Sequence, residues 1–372
     1  MNYELTLNPQ PSTLNPQPLT LNPLTLNMTP SLIGMTLQEL EGVAKQGGMP
    51  RFVAKQLADW LYAKRVTSFS EMANISKKNQ AWLAENYEIG RSKPVKASKS
   101  ADGTVKYLFD VGAGLRVESV MIPDKDRATL CVSSQCGCKM NCYFCATGKL
   151  GFKTNLTAAQ IMNQVLSMPI RRNKTGGSEQ GELTNIVFMG MGEPLDNFPE
   201  VLKAIEILTA PWGLAWSPKR ITVSTVGKLP QLKDLLEKTS VHVAVSVHTA
   251  DVLQRESMMP AQKAFPIQSV VKMLKSYDFS GQRRLSFEYI MWRGVNDDVA
   301  HANMLIKLIG DLDCRVNLIR FHRIPGVDLY PASDDRMQMF RKLLNDAGIT
   351  ATIRASRGED IDAACGMLAA KK

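Results

Sequence analysis

Cys131-Val132-Ser133-Ser134-Gln135-Cys136-Gly137-Cys138-Lys139-Met140-Asn141-Cys142-Tyr143-Phe144-Cys145 holds five of the chain's seven cysteines. Three of them, Cys138, Cys142 and Cys145, stand at the spacing Cys-x3-Cys-x2-Cys. Thiolates that close on one loop suit a single metal centre. An iron–sulfur cube takes four ligands, usually cysteine sulfurs, so three would leave one iron open to a small molecule. A structural zinc site wants four ligands, commonly two Cys-x2-Cys pairs. Only one such pair occurs here, and no His-x3–5-His follows. A disulfide framework belongs to short secreted chains, and this chain has 372 residues and no secretory pattern. The spacing favours an iron–sulfur centre over zinc or disulfides.

Downstream of the cluster, short β-rich runs alternate with amphipathic helices. The strand candidates are 129–132, 185–189, 221–224, 241–247, 285–291 and 315–319. Helical candidates at 158–166, 199–208, 229–237, 267–277 and 299–312 lie between them. Repeated βα units predict a parallel sheet with right-handed crossovers. Six of them make an open, partial form of the eightfold βα barrel, an α/β fold whose sites form at the C-terminal strand ends. Several polar motifs fall there: Gly190-Met191-Gly192-Glu193-Pro194, then Ser224-Thr225, Ser246-Val247-His248 and Asn317-Leu318-Ile319-Arg320-Phe321-His322. Singly, each reads as an ordinary strand end. Together they suit hydrogen bonds to one ligand.

Upstream, residues 104–122 read as a hairpin: Val105, Tyr107 and Phe109 alternate, Gly112-Ala113-Gly114 turns, and Leu115, Val117, Ser119 and Met121 return. Glu118 lies on the returning strand, where a carboxylate would ordinarily face solvent. Before it, Thr36-Leu37-Gln38-Glu39 is a capping box opening a run of short helices to about residue 88. Lys55, Lys64 and Arg65, with the basic stretch 91–96, suggest RNA docking or simply a solvated face. Residues 1–30 repeat Thr-Leu-Asn-Pro, which blocks helix and central strand. The expected organisation is a disordered segment over 1–34, a helical accessory domain over 35–95, a β-hairpin linker over 96–127 and a catalytic domain over 128–372. The first of these is also readable as untranslated repeat ahead of a start at Met28 or Met35.

A hydrophobic content of 44% supports a sizeable core, and a net charge of +10 suits a phosphate-rich partner. No apolar run approaches membrane-spanning length, so no membrane partner is expected. Free thiols in this number fit the reducing cytoplasm.

The triad and its leader, Cys131-Val132-Ser133-Ser134-Gln135 with Gly137-Cys138, resemble the radical S-adenosylmethionine (SAM) superfamily, and more narrowly the RlmN/Cfr group of RNA adenine methyltransferases. The C-terminal stretch Arg354-x2-Arg357-Gly358-x-Asp360-Ile361-x-Ala363-Ala364-Cys365-Gly366 is similar to that group's methyl-carrier segment. The resemblance runs from about residue 35 to the C-terminus. It implies one [4Fe–4S] cluster on Cys138, Cys142 and Cys145, and SAM held by Phe144, Gly192, Glu193, Ser224, Ser246, Val247, His248 and His322. It implies Cys365 as methyl carrier, Cys131 as resolving thiol and Glu118 as general base. The expected reaction makes 2-methyladenosine in 23S rRNA at the peptidyl-transferase centre and in tRNA next to the anticodon. The expected protein is a monomer served by a reducing electron donor such as flavodoxin. C8 methylation of the same rRNA adenosine, as in the Cfr type, and a non-catalytic iron–sulfur RNA-binding protein are the alternatives. The chain departs from the group's pattern at His322 and Gln262, where asparagine is common, and at Cys136, read as a bystander. Cys314 is read as structural.

Overall fold

The computed structural model describes residues 29–168, 183–281 and 283–370. The Thr-Leu-Asn-Pro repeat of residues 1–28 lies outside them.

Among the described residues, ten strands form one sheet. Three are antiparallel at one edge: β1 (Lys96–Lys99), β2 (Val105–Asp110) and β3 (Arg116–Asp124). β4 (Arg127–Cys131) pairs antiparallel with β3 and begins the parallel part. The cluster loop carries a small separate ribbon, β5 (Gln135–Cys136) against β6 (Thr154–Asn155). The parallel part continues through β7 (Asn185–Phe188), β8 (Ile221–Thr225), β9 (His242–Ser246), β10 (Leu285–Met291), β11 (Arg315–Arg320) and β12 (Thr350–Ile353). The sheet order is β1-β2-β3-β4-β7-β8-β9-β10-β11-β12. The six expected parallel strands are present within a residue or two of their expected ends, and β12 is a seventh. β1 and β12 escape sequence reading because a four-residue strand such as Lys-Ala-Ser-Lys offers too little alternation to register. The expected linker hairpin belongs to the same sheet, so the accessory strands and the barrel are one continuous layer.

Amphipathic helices cover the outer face, and their apolar stripes meet the outward side chains of the strands. On β10, Phe287, Tyr289 and Met291 are wholly buried against the helical layer. The opposite set, Ser286, Glu288 and Ile290, turns into the lumen, as the period of two in a strand requires.

The packed part of the N-terminal region begins earlier than expected, ahead of its first helix. Leu32 and Ile33 are wholly buried, and their amides donate to the carbonyls of Glu88 and Ile89 at 2.9 and 3.1 Å. Gly34 sits at φ +84°, and a Cβ there would meet the backbone of Ala159 at 2.2 Å. The boundary drawn at residue 34 is therefore corrected: residues 31–34 pack as part of the fold. Thr36 and Glu39 form the expected capping box on the helix Leu37–Gln46. The expected set of basic docking residues also changes. Arg65 donates to the Met168 carbonyl at 2.7 Å and Arg91 to the Leu166 carbonyl at 3.1 Å. Both guanidiniums thus bind the helical region to the barrel.

Candidate active site

The site lies where the parallel strands end. The cavity there is about 160 Å³ and is walled by Cys138, Cys142, Phe144 and Cys145 of the cluster loop, by Gly192 and Glu193, by Ser224, Ser246 and His248, and by Cys365. Ten of the fourteen residues predicted to bind or react thus share one cavity. The remaining four are Val247, His322, Cys131 and Glu118.

The cluster loop is shaped by its backbone. Asn141 adopts φ +47°, and Tyr143 N donates to the Met258 carbonyl at 2.9 Å. Burial pushes the Cys138 thiol up to about 12 and the Cys142 thiol well above its ordinary value. Such sulfurs become thiolates only beside a strong cationic partner. No group of three His, Cys, Asp or Glu side chains among the described residues forms a site for one metal ion. Three thiols facing one cavity instead fit separate irons of a cube, with a further iron left for a small ligand.

Opposite the thiols, Gly192 has φ +99°, and a Cβ there would lie 2.5 Å from the side chain of Gln135. Glycine is required for the turn to approach the loop. Gln135 accepts from the Glu193 amide at 2.8 Å, tying turn and loop together. Burial raises the Glu193 carboxyl to about 7, against bonds from the amides of Val226 at 2.9 Å and Leu195 at 3.1 Å. A carboxyl poised this way gains most from a cationic ligand.

His248 holds a left-handed backbone at φ +55°, uncommon for a residue with a side chain. Its ring accepts at Nδ1 from the Ile290 amide at 3.1 Å and its carbonyl accepts from Asn296 Nδ2 at 2.7 Å. Burial lowers its pKa to about 3, so the ring is neutral with its proton on Nε2. It meets Phe144 edge-on at 4.9 Å between centroids. Val247 stands behind this wall, its carbonyl accepting from Arg255 Nε at 3.2 Å. His322 lies outside the cavity lining, with Nδ1 3.2 Å from a carboxylate oxygen of Glu359.

Arg255 went unnoticed in the sequence, where a lone arginine on a short helix reads as surface. It is wholly buried. Besides Val247, it donates to the carbonyls of Ser246 and Val226 and to Gln262 Oε1, at 3.0, 3.1 and 2.5 Å. One guanidinium therefore fixes the loops after β8 and β9. Gln262, one of the departures from the expected pattern, is its partner. Cys136 stays apart, its thiol donating to the Arg116 carbonyl at 3.4 Å.

The C-terminal segment reaches the site by crossing the open side of the sheet. It leaves β12 at one edge and is caught by the β1–β2 turn at the other. Ser100 Oγ donates to Asp360 Oδ1 at 2.6 Å, and the Gly358 amide to Asp102 Oδ2 at 2.9 Å. Thr147 Oγ1 then donates to the Leu368 carbonyl at 2.7 Å, and the Ala146 amide to the Gly366 carbonyl at 2.8 Å. This path puts Cys365 in the cavity wall and within electrostatic reach of Cys131, at the end of β4. Burial pushes the Cys131 thiol up to about 12. All seven cysteines are free thiols. Glu118 faces elsewhere. Its carboxylate pairs with Lys106 at 3.1 Å and accepts from the amides of Ala369 and Ala370 at 2.9 Å each.

A second, larger cavity of about 620 Å³ opens at the N-terminal strand ends. Arg127, Lys219, Arg220, Arg284 and Arg315 line it. Burial and the charges of Arg284, Lys219, Arg283 and Arg315 lower His242 there to about 4. No helix among the described residues is long and apolar enough to cross a membrane.

Comparison with known proteins agrees with this arrangement. Residues 132–305 match the family model of the radical SAM superfamily, and residues 30–89 that of the ribosomal RNA large subunit methyltransferase N-terminal domain. A probable dual-specificity RNA methyltransferase RlmN from Parabacteroides distasonis is 56% identical over 337 residues, 91% of this chain and 96% of its own length. The dual-specificity RNA methyltransferase RlmN of Syntrophobacter fumaroxidans is 41% identical over 90% of this chain and 97% of its own. The crystal structure of a radical SAM methyltransferase from Sphaerobacter thermophilus superposes with a TM-score of 0.85 at 38% identity, covering 92% of this chain and all of that one. With a partial barrel, a three-thiol loop and the Gly-Glu-Pro turn facing one cavity, the chain belongs to the RlmN family of radical SAM methyltransferases, whose cofactors are a [4Fe–4S] cluster and SAM.

Proposed function

We propose that this enzyme makes 2-methyladenosine in 23S rRNA and in tRNA next to the anticodon, through a methylated Cys365 and with two SAM per turnover. The observation that carries the reading is that Cys131 and Cys365, from opposite ends of the catalytic domain, come within electrostatic reach of each other beside a cavity walled by three further thiols. An RNA-binding protein without chemistry has no use for that arrangement. The dual-specificity relatives and the cationic mouth support RNA as the substrate.

Cys138, Cys142 and Cys145 would hold the cluster. Glu193 would take the SAM ammonium group, and Phe144 and His248 would flank the adenine. When bound, the cluster and SAM supply the radical that removes a hydrogen from the S-methyl group of Cys365. The chain's own residues do the rest. Cys365 sulfur accepts a methyl group from one SAM by displacement and later carries the methylene carbon onto adenine C2. Glu118 takes the C2 proton. That duty requires the 369–370 amides to leave its carboxylate. Cys131 thiolate attacks the Cys365 sulfur, so that the sulfur–carbon bond breaks as the sulfur–sulfur bond forms and the freed carbon takes a proton. The adduct's unpaired electron would return to the cluster, and the electron donor would reduce the Cys131–Cys365 disulfide. Neutral His248 adds no charge to the cavity wall.

Mass spectrometry of nucleosides from rRNA and tRNA, after expression in cells lacking their own enzyme, tests this. The expected product is 2-methyladenosine in both RNAs. 8-Methyladenosine, confined to rRNA, would replace the proposal with the C8 reading.

A further inference from the structure

The lumen runs from the cationic mouth at the N-terminal strand ends to the cysteine cavity at the C-terminal ends. Glu288 and Met189 line both. Glu288 is 3% exposed, on the inward face of β10, in register with Ser246 of β9 and Asn317 of β11. Its Oε1 accepts from Asn317 Nδ2 at 2.7 Å and from Ser286 Oγ at 3.1 Å. Asn317 is itself oriented, its Oδ1 accepting from Thr352 Oγ1 at 3.1 Å. Oε2 is buried without a hydrogen-bond partner. The charged or reactive groups within electrostatic reach are Arg354 and the Cys365 thiol.

A buried carboxylate with one oxygen clamped and the other unpartnered is costly to keep, unless a ligand brings a donor. Burial raises its carboxyl pKa, as expected of a site awaiting such a donor. Nothing in the cofactor reading uses this group, and it stands between the polyanion's mouth and the methyl carrier. An acceptor placed there selects a base that presents an amine. It repels one that presents a carbonyl.

Resting on the RNA reading above, we propose that Glu288 recognises the target base, with Oε2 accepting a hydrogen bond from the exocyclic N6 amine of adenine. The nucleotide's phosphates then remain among the arginines of the mouth while the ring reaches Cys365. Asn317 and Ser286 are positioning residues that aim the carboxylate.

The test uses the full-length, cluster-loaded enzyme and RNA stem-loops carrying adenosine or purine riboside, which lacks the amine, at the target. The native enzyme should methylate adenosine about tenfold or more faster in kcat/KM, since a site built around a substrate N–H rejects an analogue lacking it. Glu288→Gln should lose that preference while keeping the native KM for SAM and native methylation of Cys365. A preference that survives in Glu288→Gln overturns the assignment. So does a raised KM for SAM with preference intact, which would make Glu288 a cofactor contact. If Glu288→Gln fails to fold, Asn317→Ala, which unclamps Oε1, should weaken the preference, and an unchanged preference there overturns it equally. A native enzyme that leaves adenosine unmethylated sinks the RNA reading instead.

Discussion

The two ends of the lumen are built from the same strands and could hardly differ more. At the C-terminal ends, Ser224, Ser246, Ile290 and Ile319 face a small cavity whose titratable groups are held near neutrality. His248 is uncharged, Glu193 is raised to about 7 and the Cys138 thiol to about 12. At the N-terminal ends, two to four residues earlier on the same faces, Thr222, Ser286 and Asn317 look into a wide opening rimmed by arginines. Chemistry through a reactive radical needs a dry site of low charge. Capturing a polyanion needs exposed positive charge that counterions can leave. A barrel strand carries both because side chains two residues apart share a face about 7 Å further along.

The largest effect should come from emptying the C-terminal end. Replacing Cys138, Cys142 and Cys145 together by Ala should abolish iron binding and all SAM cleavage in anaerobically prepared protein, while Cys136→Val leaves both intact. Zinc at full occupancy in the native protein would overturn the cluster assignment.

Next in size is the separation of the two reacting thiols. Cys365→Ala should yield neither methylated RNA nor adduct. Cys131→Ala should accumulate protein bound covalently to RNA through Cys365, visible on denaturing gels. In the native enzyme, the Cys131 thiol at about 12 is protonated at neutral pH. Its thiolate fraction therefore rises about tenfold per pH unit below that value. Single-turnover release of the adduct should accelerate from pH 7 to 9 with a slope near one. A flat profile would show that thiol ionisation does not limit release.

A moderate effect is expected at the other end. Arg284→Ala and Arg315→Ala should each weaken RNA binding and reduce the slope of log affinity against log salt by about 1. RNA-independent SAM cleavage should stay at the native rate. A loss of SAM cleavage would mean that the two ends are not separable.

The smallest effect concerns neither end. A chain beginning at Met28 should unfold at the same urea concentration as the full chain. One beginning at Met35 loses buried Leu32 and Ile33, at a cost of about 4 kcal/mol for two full side chains. Equal stability of the two would show that these residues contribute nothing to the fold.

Much of this was legible in residue order. The cysteine spacing, the Gly-Glu-Pro turn and the alternation of β runs with amphipathic helices are local patterns, and local patterns survive folding. Arg65 and Arg91 were misread because a basic side chain in sequence does not say whether water or a carbonyl meets it. Arg255 and Glu288 were missed for the same reason. Buried charges look like surface charges until the packing around them is known.

By itself the sequence determined the parallel α/β architecture, the three-thiol loop and the polar strand ends that face it. Those follow from periodicity and short spacings, which act over a few residues. The tertiary structure alone decided that Cys365 comes within electrostatic reach of Cys131, that Glu118 is engaged by Lys106 and the C-terminal amides, and that Glu288 stands between mouth and cavity. Each depends on strand order and register, and on a segment that leaves β12 and is caught by the β1–β2 turn across the open side. Contacts between residues so distant in the chain are set by which surfaces bury together.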